Sequence, residues 1–139
     1  MKVYIATRLE NIELQRRAAD ALREGGSTIT YDWGEHGPVW TEGRERCREV
    51  AQAELRGVVE ADLVFVLLPG GRGTHIELGA ALALDKVAIL YSEDGEHFII
   101  GPDACAFYHH PRVLHIVGDE ETLLCWCKEL TESAGPVPK

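Results

Sequence analysis

Basic residues are scarce in this chain: Lys and Arg number 14 against 23 Asp and Glu, a net charge of −9. A binder of nucleic-acid polymers needs a basic face, and so does a protein held on an anionic membrane by charge; neither class fits. Long hydrophobic runs are also missing. The longest apolar stretch, residues 61–69, carries Asp62 and is far too short to cross a bilayer. The opening segment MKVYIATRLENIEL lacks the basic-then-apolar pattern of a signal peptide, so a cytoplasmic protein is expected. Four cysteines (Cys47, Cys105, Cys125 and Cys127) form no CxxC pair, and His109-His110 has no HxxxH or HExxH partner. These spacings predict buried, reduced thiols, no metal site and no cofactor. There is no internal repeat and no low-complexity segment.

What is present is a chain of 139 residues, 45% hydrophobic, long enough to bury roughly two-thirds of its unfolded surface without staples. One domain over residues 1–133 and a frayed tail over 134–139 are expected. Strand and helix patterns alternate along it. Residues 2–7 (KVYIAT) read as a strand, and Leu14, Ala18, Ala21 and Leu22 follow helical spacing up to Gly25-Gly26. Residues 28–33 (TITYDW) read as a second strand and 41–60 as a second helix after a turn-rich stretch at 34–38. The continuous apolar run 63–68 (LVFVLL) is that of a parallel strand buried on both faces. A short helix over 75–84, strands over 87–91 and 113–117, and a helix capped by Asp119 and running to Thr131 complete the pattern. Strands joined by helical crossovers imply a doubly wound α/β fold: a flavodoxin/Rossmann-like parallel sheet of five strands in order 2-1-3-4-5, helices on both faces. Its ligand crevice would lie at the carboxyl ends of strands 1 and 3. Residues 92–112 are too long for a plain loop and call for a short element or a function.

The most informative segment is Pro69-Gly-Gly-Arg-Gly-Thr-His-Ile-Glu-Leu-Gly79, a glycine-rich turn between a buried strand and a helix. It matches neither GxxxxGK[ST] nor GxGxxG, since Ile76 stands at the last glycine of the latter. Glu77 has two readings. With Thr74 it spells a capping box, in which its carboxylate bonds back to the helix start. It is also the only charge in HIELGAALAL, a helix apolar on nearly every side and so expected to be buried, which sets the carboxylate at the crevice mouth. Carboxylates so placed serve as nucleophiles or acid/base groups in glycosyl chemistry. A second acid, Glu54, falls in the middle of the stripe formed by Cys47, Val50, Ala51, Leu55 and Val58, with Arg48, Glu49, Gln52 and Arg56 opposite. A carboxylate there is either reaching solvent from the stripe's end or is a buried, crevice-facing acid.

Several segments together resemble the nucleoside 2-deoxyribosyltransferase family, which includes the deoxynucleoside-monophosphate N-hydrolases. They are Lys2-Val-Tyr-Ile-Ala, Glu54 followed by Ala61-Asp62-Leu-Val-Phe-Val, Gly73-Thr-His-Ile-Glu-Leu-Gly-Ala-Ala and Lys86-Val-Ala-Ile-Leu. The resemblance implies that Glu77 attacks the anomeric carbon, that Tyr4 positions it, and that Glu54 assists the leaving base from a place where the family carries Asp. It further implies a nucleoside or nucleotide substrate, a glycosyl-enzyme intermediate, and a homodimer or higher oligomer in which a neighbour's C-terminal half completes the site. Gly71 stands where the transferases carry a base-reading Asp and the hydrolases a phosphate-holding Ser. Thr7-Arg8 replaces a small-residue loop. A shorter match, PGGxGTxxE at residues 69–77, is similar to the lonely-guy phosphoribohydrolases. Thr7, Arg8, Trp33, Gly71, Gly73 and Thr74 are the candidate substrate contacts. Trp33 and Trp40 flank the loop after strand 2, where an aromatic ring stacks on a base or packs locally. Asp32, His36 and His75 lie near the same rim, and Arg8 and Arg72 either meet a phosphate or are solvated. A non-catalytic nucleotide-binding or sensing domain is the alternative reading.

Overall fold

The computed structural model describes residues 1–130. The tail expected at 134–139 and the end of the last helix at Thr131 lie outside the described residues. Nine main elements follow one another: β1 (Lys2–Ala6), α1 (Ile12–Glu24), β2 (Thr28–Ile29), α2 (Arg44–Glu60), β3 (Leu63–Leu67), α3 (Arg72–Ala83), β4 (Val87–Ser92), β5 (Val113–Val117) and α4 (Glu120–Glu129). The sheet is all parallel with order β2-β1-β3-β4-β5, the order expected from the alternation of patterns.

Period-two alternation divides the core. Val3, Ile5, Leu63, Phe65 and Leu67 point to one face, where Ala18, Leu22, Leu123 and Cys127 of α1 and α4 cover them. Tyr4, Ala6, Val64 and Val66 point to the other, under Val58 of α2 and Leu78, Ala81 and Leu82 of α3. Asp119 caps α4 by accepting a hydrogen bond from the Thr122 N–H at 2.9 Å.

Element ends depart clearly from the sequence reading in β2, α2 and α3, whereas residues 92–112 hold short elements as expected. β2 is only two residues long, because the chain leaves the sheet edge and turns through a short 3-10 segment at Trp33–Glu35. α2 starts at Arg44, after a 3-10 turn at Trp40–Glu42, since Gly43 has φ 94° and cannot continue a helix. α3 starts at Arg72, three residues before the expected His75. The segment 92–112 holds two 3-10 turns, Glu96–Phe98 and Ala106–His109, pinned where Phe98 stacks on His115 of β5 at 3.6 Å.

The buried side of α2 is also rotated from expectation. Val50, Gly57 and Val58 are buried with Glu54 between them and Cys47 lines the open crevice, whereas Ala51 and Leu55 are exposed. The cause is Gly57, which lets α2 sit directly on the aromatic rings beneath it. A methyl group there would lie 2.9 Å from Tyr4 Cδ2 and 2.9 Å from Tyr31 Cβ. Nor are all thiols buried: Cys127 is, Cys105 is partly, and Cys47 and Cys125 are exposed, all four unbridged. In α4 the core stripe runs through Leu123 and Cys127, which leaves Cys125 on the outer side.

We expect Gly57→Ala to destabilise the fold by about 1–3 kcal/mol through overpacking, although alanine is the better helix former by about 1 kcal/mol. Denaturant unfolding of the two proteins measures it; equal midpoints would show that Tyr4 and Tyr31 give way freely.

Candidate active site

Three side chains from distant parts of the chain converge between α2 and α3. Tyr4 comes from the centre of β1 and is fully buried under the two helices. Its hydroxyl donates to Glu77 Oε2 at 2.6 Å and lies 3.4 Å from Glu54 Oε1. Glu77 projects from the second turn of α3 and is 7% exposed; Glu54 projects from the middle of α2 and is half-buried.

The early start of α3 decides between the two readings of Glu77. Gly71 is the N-cap, and its N–H donates to Thr74 Oγ1 at 3.0 Å. Thr74 is therefore the third helical residue, and Glu77 lies too far along the helix to cap it. The His75 ring contributes a further bond, Nδ1 to the Gly71 carbonyl at 2.7 Å.

The electrostatics follow from burial. Desolvation pushes the Glu77 carboxyl up to about 8; the nearby Glu54 adds to the shift and the Tyr4 hydrogen bond opposes it. Burial also raises Glu54, opposed by its bonds to Glu77 and Tyr4 and by His36 nearby. The Tyr4 hydroxyl is driven far above its ordinary value by burial and by both carboxylates, so it stays a donor. Burial and proximity thus hold both acids above the ordinary carboxylate range, and two carboxyl groups this close titrate as a pair.

Above the pair opens a crevice of about 740 Å³ at the carboxyl ends of β1 and β3. Glu54, Glu77, Thr74, Gly71 and Gly73 line one side, Thr7 and Arg8 another. Thr7 is mostly occupied with structure: its hydroxyl donates to the Leu67 carbonyl at 2.6 Å and ties the ends of β1 and β3 together. Arg8 brings a buried Nε that has no partner among the described residues. Gly71 sits close to this arginine, since a Cβ there would touch Arg8 Cβ at 3.4 Å. Trp33 reaches the crevice but is 7% exposed, with its indole N–H donating to the Ile5 carbonyl at 2.9 Å. It is a packing residue as much as a lining one.

Other candidates divide. His36 lines the crevice, held by the Tyr31 hydroxyl at 2.7 Å and by the Gly37 carbonyl at 2.7 Å. Tyr31 carried no signal in the sequence, because its role depends on where the chain goes after leaving β2. Asp32 is drawn into structure, bonded to Gln15 Nε2, the Gly34 N–H and Arg23. His75 turns away from the crevice: its Nε2 meets the Tyr108 hydroxyl at 2.8 Å, and it borders a second cavity of about 640 Å³ with His97, Asp103 and Cys105. Trp40, by contrast, stands in the crevice wall. Among the described residues no three His, Cys, Asp or Glu side chains converge as metal ligands, and no helix is long and apolar enough to cross a membrane.

A sequence profile described as nucleoside 2-deoxyribosyltransferase matches residues 3–129. No curated protein matches the chain. Among solved structures, the fold is similar to a 2-deoxyribosyltransferase of the psychrotolerant bacterium Bacillus psychrosaccharolyticus, with TM-score 0.71 and 24% identity over 99% of this chain and 97% of that one. It is also similar to BcmB, a CMP N-glycosidase of Clostridium botulinum, with TM-score 0.61 and 20% identity over 90% and 96% of the two chains.

The raised carboxyl group ties stability to pH. A Glu77 that binds its proton more tightly in the folded than in the unfolded chain stabilises the fold at low pH, and that contribution is lost as pH climbs from 4.5 to about 8. We expect the Tm of the wild type to fall across that window and that of Glu77→Gln to fall less. Calorimetry at several pH values measures both, and parallel curves would show that Glu77 titrates like a free carboxylate.

Proposed function

This chain belongs to the nucleoside 2-deoxyribosyltransferase family, and on that premise we propose that it cleaves or transfers at the N-glycosidic bond of a nucleoside or nucleoside monophosphate, with Glu77 as the nucleophile. The observation that carries the reading is the 2.6 Å hydrogen bond from Tyr4 to Glu77 with Glu54 alongside. It sets one oriented carboxyl group beside a second acid beneath an open crevice.

In the state with Glu54 protonated and Glu77 charged, Glu77 attacks the anomeric carbon through an oxocarbenium-like transition state. The carbon–nitrogen bond breaks as the carbon–oxygen bond to Glu77 forms, and the departing base takes the proton of Glu54. Tyr4 keeps Glu77 aimed. Water or a second base then attacks the same carbon, gives its proton to Glu54 and frees Glu77. General acid help of this kind is worth roughly 10²–10⁴ in rate. Arg8 and Arg72, on two sides of the crevice, suit a 5′-phosphate.

The reading extends to a homodimer. α3 is apolar all round, yet within one chain its outer side is bare: Ile76 is 63% exposed and Leu84 is also exposed. Leu55 and Val59 of α2 are exposed beside it. A second copy packed antiparallel would cover both helices. Arg44 and Arg72 at their N-terminal ends, which make no ion pair among the described residues, would then meet the ends bearing Glu60 and Asp85. The face, roughly 25 by 20 Å or about 500 Å², supplies over half of the ~800 Å² per partner of a stable interface, the rest falling to its rim.

The experiment is a panel of ribo- and deoxyribonucleosides and their monophosphates, with and without an acceptor base, scored for free base. Glu77→Gln should keep its fold and lose several orders of magnitude in rate, and a 2-fluoro-2-deoxyarabinosyl substrate should leave an adduct on Glu77. Undiminished turnover in Glu77→Gln would refute the assignment. Tight binding of panel members without any release of base would mark a nucleotide-binding domain. Glu54→Gln should slow poor leaving groups most and lose the high-pH limb of the rate profile. Light scattering at micromolar concentration should give a dimer, and Ile76→Glu a folded monomer; a monomeric, fully active wild type would exclude the dimer.

A further inference from the structure

One wall of the crevice has no part in the bond-making chemistry. Residues 38–42 form a strap between β2 and α2, bracketed by Gly37 with φ 66° and Gly43 with φ 94°. Both backbone conformations are ones that residues with side chains rarely adopt, so the strap is set at its angle by its glycine ends. The Glu42 N–H donates to the Val39 carbonyl at 2.9 Å, and Glu42 pairs with Arg46 of α2 at 3.5 Å. Trp40 stands at the middle of the strap. It lines the crevice yet is 76% exposed, the most exposed large hydrophobic side chain among the described residues.

An indole left in water forgoes the burial that makes tryptophan a core residue. Its N–H makes no hydrogen bond to the described residues, whereas that of Trp33 is committed to Ile5 and its ring is packed away. Trp40 therefore serves neither the core nor the strap's own bonding. It offers a flat, uncovered aromatic face to the same space that Glu54 and Glu77 border. The strap also leads directly into α2, the helix that carries Glu54. A leaving base that accepts the Glu54 proton lies on that side of the crevice.

We propose that Trp40 is the platform on which the nucleobase of the substrate stacks, closing the open side of the crevice over the base while the sugar lies against Glu77. The proposal rests on the reading of Glu54 and Glu77 given above. Its ligand class is a planar heteroaromatic base attached to a pentose. Stacking of this kind is tolerant of base identity, because every base has a π-face.

The test uses Glu77→Gln as a non-cleaving background and measures binding by calorimetry and by tryptophan emission. The ligands are nucleosides and nucleoside monophosphates, with deoxyribose 5-phosphate as the base-free control. Trp40→Ala should weaken binding of the base-containing ligands by roughly tenfold to a hundredfold and leave the base-free control unchanged. Trp40→Phe should restore most of the affinity. Quenching of emission on binding should be largely lost in both variants, any remainder coming from Trp33 at the crevice wall, since Trp126 lies on α4, at the opposite face of the sheet. Unchanged affinity in Trp40→Ala, or an equal loss for the base-free control, overturns the proposal and leaves the assignment of Glu77 standing. Loss of the dimer in Trp40→Ala, seen by sedimentation, would reassign the ring to a subunit contact and likewise overturn it. If no nucleoside or nucleotide binds the background protein at all, the functional reading fails and the platform with it.

Discussion

The hydrogen bond from the Tyr4 hydroxyl to Glu77 is the contact around which this molecule is arranged. It is short, 2.6 Å, and it is made by a side chain fully removed from water. A buried carboxylate is costly unless it is paired or bonded, and among the described residues no cation pairs with it. What the interior supplies is one neutral donor and a second acid. The donor favours the charged form of Glu77, and burial with Glu54 alongside favours the protonated one. The result is a pair of acids, both raised, in a site open at the top. A buried pair of carboxyl groups is a destabilising feature for a domain of this size, where net stability is only about 5–15 kcal/mol. It persists because the surrounding sheet and helices overdetermine it.

The parallel topology explains why the pair sits where it does. β1 is an interior strand, and the chain leaves it to one side towards β2 and returns to the other at β3. Between the carboxyl ends of β1 and β3 the connecting loops diverge and leave a crevice. Thr7 ties those two ends together through the Leu67 carbonyl. Tyr4 then points up from β1 into the layer of α2 and α3, and each helix contributes one acid to the seam. The close approach of α2 at Gly57 is what brings Glu54 within reach. Had that position carried a side chain, the helix would ride higher and the two carboxyl groups would part.

The outer surface of α2 and α3 shows a second constraint. A helix as apolar as α3 implies cover on all sides, yet one chain provides it on the inner side only. The unmatched apolar side borders Gly73 and Cys47, which also line the crevice. The bare apolar side and the mouth of the crevice are therefore physically adjacent. On the far side of α3, His75 and Tyr108 bind the helix start to the long connection before β5, so the N-terminal turn carrying Gly71 is held from both directions.

Much of this was legible in the residues alone. Apolar periodicity is local, so the five strands, their parallel order and the inner face of α1 could be read from spacing. A lone charge in an otherwise apolar helix marked Glu77, and a charge inside an apolar stripe marked Glu54. Element ends were less legible, because Gly43 and Gly71 act through backbone angles and capping bonds that spacing does not record. The contacts that matter most were not encoded locally at all. Tyr4 and Glu77 are 73 residues apart, and Tyr4 and Glu54 are 50 apart. Which tryptophan is buried and which is bare, which way His75 turns, and which side of α2 meets the sheet were settled only when the elements packed. Hydrophobic pattern specifies that a side chain must be covered; only the packed neighbours decide by what.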